Sequence, residues 1–319
     1  MSYLELAEHS VKFEELAIHA SLRAQGFNKS GGTWHPPLGA EDAADLIVAS
    51  TYRRYTGVAQ MFTPFFGLPG PNDLQETYLR LESAQAKLST GGDGYVDPAS
   101  QRLIGADPVM NGMSAVEAAM QDWRGVAAEQ FKGKFLKPWP AVTANQFTLL
   151  AVLAGAIKAE IALWTEARRN VDEIAHLALT ALQSTGGIGD PKMEVFALTV
   201  AASVFSVGAA AIATTAAATS LTLTVAGAAA QAAGAVPRED APKVAIDGGT
   251  AQGIVDQTLN ALNALAFEIH QKETEIAYGL AMGLVVVTSH KDLFTAVRPW
   301  LADQTSTTIT TDSGLGENL

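Results

Sequence analysis

Two apolar stripes of matched length constrain this chain more than any other feature. The first runs Phe147, Leu150, Leu153, Ile157, Ile161, Trp164, Val171, Ile174, Ala178 and Leu182, in threes, fours and one step of seven. That is the period of an α-helix. The second runs Val255, Leu259, Leu262, Ala266, Ile269, Ile276, Leu280, Leu284 and Val287 with the same spacing. At about 1.5 Å per residue each is a helix of roughly 60 Å, and a stripe that long wants a partner of equal length. The chain between them can return on itself, so the spacing predicts an antiparallel pair over 144–184 and 250–290.

Between the stripes no charged side chain occurs from Val195 to Pro237. The stretch is long enough for two bilayer passes of about twenty residues each. It is rich in Ala, Thr and Ser and thin in Leu, Ile and Phe, whereas a stable membrane helix is more strongly apolar. The first expectation is therefore helices buried against protein, in the chain's own bundle or between copies. Contact with lipid is the second. Gly208 and Gly227 suit close packing in either setting, and Phe205, Leu221 and Leu223 are its bulky membrane or oligomer contacts.

Composition narrows the class. Apolar residues make up 48%, charged ones 17% and aromatics 7% of 319 residues, which favours Ala-packed helices over a sandwich or barrel. The expected fold is all-α, an elongated helical bundle. Its segments are a helical region over 1–90, a loop over 91–113, a helix–turn–helix and long helix over 114–190, the uncharged Ala-rich helical segment over 191–237, return helices over 248–303 and a disordered tail over 304–319. Net charge is -12, so phosphate contacts are disfavoured and no nucleic-acid partner is expected. The start, Met1-Ser2-Tyr3-Leu4-Glu5, lacks the basic and apolar regions of a cleaved leader.

Ser114 to Phe131 reads as a helix, a break and a second helix. Ser114 and Glu117 have capping-box spacing, Val116, Ala119, Met120 and Trp123 follow at helical spacing, and Gly125 is where the pattern can turn. Trp123 supplies a flat apolar plate to cover the junction.

The string W-R-G-V-A-A-E-Q-F resembles the signature of the Trp-X-Gly superfamily, the helical-hairpin substrates of bacterial type VII (ESX) secretion. Trp123, Gly125, Ala127, Ala128 and Phe131 occupy the matching places. More loosely, the order of turn, long helix and uncharged stretch is similar to the longer secretion-associated Esp proteins of actinobacterial ESX systems. The resemblance implies a non-enzymatic protein, secreted or at the cell surface after a cytoplasmic stage. Such a protein acts by self-assembly or by binding a helical partner, with those five residues as its recognition surface. That family's export signal, Tyr-x-x-x-Asp/Glu, follows the hairpin. The candidate here, Tyr78 with Glu82, precedes it. The layout of long helix, apolar hairpin and long helix also fits a membrane-active, pore-forming-like protein using 195–237.

No catalytic constellation is legible. The chain holds no G-x-S-x-G, P-loop or H-E-x-x-H pattern and no cysteine. Glu173 and His176 have the spacing of one half of a bundle di-iron site, but the partner stripe lacks the second half. No metal or cofactor is expected.

Overall fold

The structure, a computed structural model, describes residues 3–90, 93–98, 100, 102–185, 194–197, 206–207, 211–215, 218–222, 225–226, 243–246, 249–298 and 305. These residues are predominantly helical, with small two-stranded sheets. In chain order come α1 (Leu6–Ala24), the hairpin β1 (Asn28–Ser30) and β2 (Thr33–His35), α2 (Ala44–Tyr55), a 3-10 helix (Val58–Phe65) and α3 (Pro71–Lys87). Next are the ladder β3 (Tyr95–Val96) and β4 (Leu103–Ile104), then α4 (Pro108–Asn111), α5 (Met113–Ala119), α6 (Val126–Phe131) and α7 (Trp139–Ser184). The strands β5 (Glu194–Ala197), β6 (Ser206–Val207), β7 (Ala211–Thr215), β8 (Ala218–Thr222), β9 (Val225–Ala226) and β10 (Lys243–Ile246) lead into α8 (Ala251–Ser289).

Residues gather into two compact units, which α7 and α8 both traverse. The first holds Met1–Pro71, Ala162–Ala201 and Ala235–Lys272. Here α1 buries Phe13, which meets Phe62 edge to face at 5.6 Å. The Glu14 carboxylate accepts from the backbone N–H groups of Gly57 at 2.8 Å and Ala59 at 3.3 Å, so it satisfies the free start of the 3-10 helix from a distance in sequence. Tyr3 donates to the Phe65 carbonyl at 2.6 Å and accepts from the Leu68 N–H at 2.8 Å. The Arg168 guanidinium of α7 lies 4.5 Å over the Tyr3 ring and donates to the Leu68 carbonyl.

The second unit holds Asn72–Ile161, Ala202–Gly234 and Glu273–Leu319. Asn145, fully buried near the start of α7, donates to the Leu293 carbonyl at 2.8 Å, and Gln146 donates to that of Phe294 at 2.7 Å. Leu293 and Phe294 form a small core with Leu149 of α7 and Val286 and Val287 of α8. The start of α7 is thus tied to the end of α8. In the first unit, β5 pairs antiparallel with β10, which ties the chain leaving α7 to the chain entering α8.

Several expectations need correction. The uncharged stretch is not helical where it is described. It forms ladders, β6 with β9 and β7 with β8, nested in sequence inside β5–β10. Thr, Val and Ile recur through it, and β-branched side chains fit a pleated surface better than a helix. Pro138 and Pro140 mark the junction between two helical runs. A π turn over Lys132–Leu136, closed by Lys137 N–H to the Lys132 carbonyl at 2.9 Å, precedes them, and α7 begins at Trp139. The wider turn accommodates the missing proline donors. Within the region 1–90, expected to be helical, residues 28–35 are a hairpin around Gly31-Gly32, whose φ angles of 56° and 88° suit the tight turn. The buried face of α7 is built from Ala151, Ala156, Ala159, Ala167 and Ala178 together with Leu163, Ile174 and Leu182, while Leu153 of the expected stripe is exposed. On α8, Leu265 is buried where Ala266 was expected, and Leu259 and Leu284 face outward. The proposed tail lies outside the described residues apart from Thr305.

Candidate functional site

The Trp-X-Gly turn lies in the second unit. It opens earlier than the capping box implied. Asp107, followed by Pro108, caps α4 by accepting from Val109 N–H at 2.9 Å and Met110 N–H at 3.1 Å. No side chain caps the start of α5 at Met113, so Ser114 sits inside the helix. The chain leaves α5 through Met120 and reaches Gly125, which has φ 101° and ψ 171° and stands immediately before α6. Side chains are barred from that conformation. A Cβ at Gly125 would meet nothing within 4 Å. The glycine therefore serves the backbone angle and not a close approach of two helices.

Across the turn the Trp123 ring packs on Phe131, centroids 5.8 Å apart. Phe131 continues to Phe135 at 5.3 Å, and Phe135 to Trp139 at 5.4 Å. Four residues overshoot an α-helical turn by about 40°, and the π turn within this run helps keep the rings in line. All four aromatics are half-buried, so each keeps an open edge. Ala128 is buried, Ala127 half-buried and Gly125 exposed. Lys132 donates to the Gln121 carbonyl at 3.1 Å and the Trp123 carbonyl at 2.6 Å. The ammonium thereby ties α6 back to the connection between α5 and α6. Lys132 and the aromatic row were not singled out from sequence, although the Phe131, Phe135, Trp139 spacing was readable.

Tyr78 and Glu82 lie one turn apart on α3 and bond directly, the phenol donating at 2.7 Å. Arg102 reaches the same carboxylate oxygen at 3.3 Å. Burial, then the bond to Glu82, pushes the Tyr78 phenol up to about 12. Of the residues named in the uncharged stretch, Leu221 lies in β8, with its backbone opposite Ile212. Phe205, Gly208, Leu223 and Gly227 lie outside the described residues.

The first unit contains an open cleft of about 330 Å³ between α1, the hairpin and α2. On its wall the Lys29 ammonium lies 2.8 Å from His19 Nε2 and 5.6 Å over the Trp34 ring. Burial, then the Lys29 charge, lowers the His19 pKa, with Glu15 opposing at 3.6 Å. The site was not legible in the sequence, because its members come from separate elements.

Among the described residues no three His, Asp or Glu side chains gather as a metal site. The helical run Val126–Ser184 contains a window of mean hydropathy 1.7, long and apolar enough to cross a membrane, and half of that window is buried in the protein. A core helix of a bundle has the same character.

No protein-family model, curated protein or solved structure matches this chain.

Proposed function

We propose that this chain is a non-enzymatic helical protein of the type VII (ESX) kind, acting by docking a helical partner or further copies of itself through the Trp-X-Gly turn. The observation that carries the reading is the turn itself. A glycine-only backbone conformation joins two helices beneath Trp123, and a row of four half-buried aromatics leads away along one side. Partly open aromatic rows are efficient anchors for a partner helix, since they bury large area with little side-chain entropy lost. The resemblance of W-R-G-V-A-A-E-Q-F to the Trp-X-Gly signature supplies the secretion context. In this reading the protein is exported through a type VII system. Tyr78 and Glu82, held together on α3, form the export motif or are replaced in that role by a partner's motif. The test is export from a host carrying a type VII system, with and without its secretion ATPase. Trp123→Ala together with Phe135→Ala should abolish ATPase-dependent export and partner co-purification while the remaining helix content is kept. Export unchanged by the double substitution would overturn the role given to the turn.

A second reading, a membrane-active protein using 195–237, is favoured by one observation. Where it is described, the charge-free stretch is paired as β ladders, β6 with β9 and β7 with β8, where helices buried in a bundle were expected. Dye release from vesicles by purified protein is its direct test.

A further inference from the structure

The aromatic row belongs to a strongly acidic chain, yet its own surroundings are basic. Between 121 and 140 stand Arg124, Lys132, Lys134 and Lys137 against Asp122 and Glu129, while the whole chain carries -12. Lys132 is committed to the carbonyls of Gln121 and Trp123. Arg124, Lys134 and Lys137 are exposed, and among the described residues none of them pairs with a carboxylate. Arg124 adjoins Trp123, and Lys134 stands between Phe131 and Phe135 in the chain. Half-open rings and uncommitted positive charge therefore share one short stretch of the second unit.

Ring spacing sets the shape that fits. Successive centroids are 5.8, 5.3 and 5.4 Å apart, and one α-helical pitch is about 5.4 Å. The step from Trp123 to Phe131 crosses the turn and still keeps that interval. A helix lying along the row can set one apolar side chain per turn beside the rings. A lipid surface has no such period and gains nothing from it. Charge then selects among helices. Two copies docking by this same patch would be related by a two-fold axis, which brings the cations against themselves. We propose that the row receives an amphipathic helix of another protein whose polar face is acidic. The rings take its apolar stripe, and Arg124, Lys134 and Lys137 take its carboxylates. The inference rests on the turn-docking reading above and names the chemistry of the partner. Aromatic anchors supply most of the affinity of such a contact, while charges around them choose the partner and speed the encounter.

The probes are fluorescent peptides of about five helical turns, stapled because free helices of that length are marginal. They share a Leu stripe at helical spacing and differ only in a polar face of Glu, Gln or Lys. Each is titrated against the full chain by anisotropy. The Glu peptide should bind at least about tenfold tighter than the Lys peptide at low salt. That advantage should shrink to about threefold or less in 1 M salt, where charges are screened beyond about 3 Å. Arg124→Glu with Lys134→Glu and Lys137→Glu should reverse the order. Trp123→Ala with Phe135→Ala should weaken all of the peptides by at least about tenfold. Both variants are compared at circular dichroism equal to that of the native chain. Peptides that bind alike, and are lost with the aromatic pair, overturn the acidic partner while leaving the turn as a docking site. Binding of none of them overturns this inference, and the export test above then decides the turn alone. Self-association in sedimentation that excludes the Glu peptide makes a second copy the occupant and overturns the inference. Quenching of tryptophan by vesicles of brominated phosphatidylserine, lost in Trp123→Ala and not competed by the Glu peptide, makes it a membrane and does the same.

Discussion

Replacing Gly125 with alanine isolates the one backbone feature on which the Trp-X-Gly turn depends. At φ 101° and ψ 171° an L-residue clashes with its own backbone, and holding it there costs about 1–3 kcal/mol. Alanine also stiffens the unfolded chain, which offsets about 0.4–1 kcal/mol. The expected net loss is about 1–2 kcal/mol, confined to the α5–α6 junction. Because a Cβ here meets nothing within 4 Å, alanine, serine and leucine should cost nearly the same. Were the glycine needed for close approach, the cost would climb with side-chain size. Gly133 is the control. It lies in the helical run with φ negative and open space around it, so Gly133→Ala should be neutral or stabilise by up to about 1 kcal/mol. Hydrogen exchange of peptides covering 113–135 reads the local opening, and thermal unfolding reads the whole. Equal protection in the Gly125→Ala and Gly133→Ala proteins would refute the claim that backbone angle holds this turn.

Other consequences follow from single contacts. Asn145→Ala leaves the Leu293 carbonyl without its donor in a buried position, which should cost about 1–3 kcal/mol and, by hydrogen exchange, loosen residues 286–294 first. The imidazole of His19 should stay neutral below its ordinary titration range because burial and then Lys29 lower its pKa. Its contribution to stability is full above pH 6.5 and is lost as pH falls through the lowered folded value, and an NMR titration in which Lys29→Met leaves the His19 pKa unmoved would contradict the assigned charge effect. Tyr78, raised to about 12, should remain un-ionised at about pH 11. Its contribution is full below pH 10 and is lost as pH rises toward 12, and the difference in absorbance titration between the native chain and Tyr78→Phe measures it.

What the sequence disclosed and what it hid divide along physical lines. Long periodic stripes specify helices whatever surrounds them, so α7 and α8 were legible to within a few residues. Which side of α7 is buried was less legible. The structure turns Ala151, Ala156, Ala159 and Ala167 inward and leaves Leu153 exposed. Hydropathy ranks Leu above Ala, but close approach rewards the smaller side chain. Pro138 forbids a regular α turn, and the π turn that the preceding residues supply takes its place. The Gly31-Gly32 hairpin and the Asp107-Pro108 helix start carried readable local signals, which were passed over because neither lies near a long apolar run.

The uncharged stretch is the case in which composition and backbone part company. An apolar run without period does not separate a buried helix from a strand, and Ala tips such a run toward helix. The weight belonged elsewhere. Val207, Ile212, Thr214, Thr215, Thr219, Thr222 and Val225 are β-branched, and side chains of that kind lose rotamer freedom against a preceding helical turn but not on a pleated strand. Once the backbone is a ribbon, its needs change. A buried Ala-rich helix satisfies its own N–H and C=O groups and asks only for neighbours. A two-stranded ribbon leaves one row of those groups open along each edge and must be joined, covered or kept in water. The chain entering and leaving the stretch is paired by β5–β10 in the first unit, and the far ends of α7 and α8 are tied separately by Asn145 and Gln146 in the second. The described strands β6 to β9 carry the demand of an open edge, which helices in their place would not.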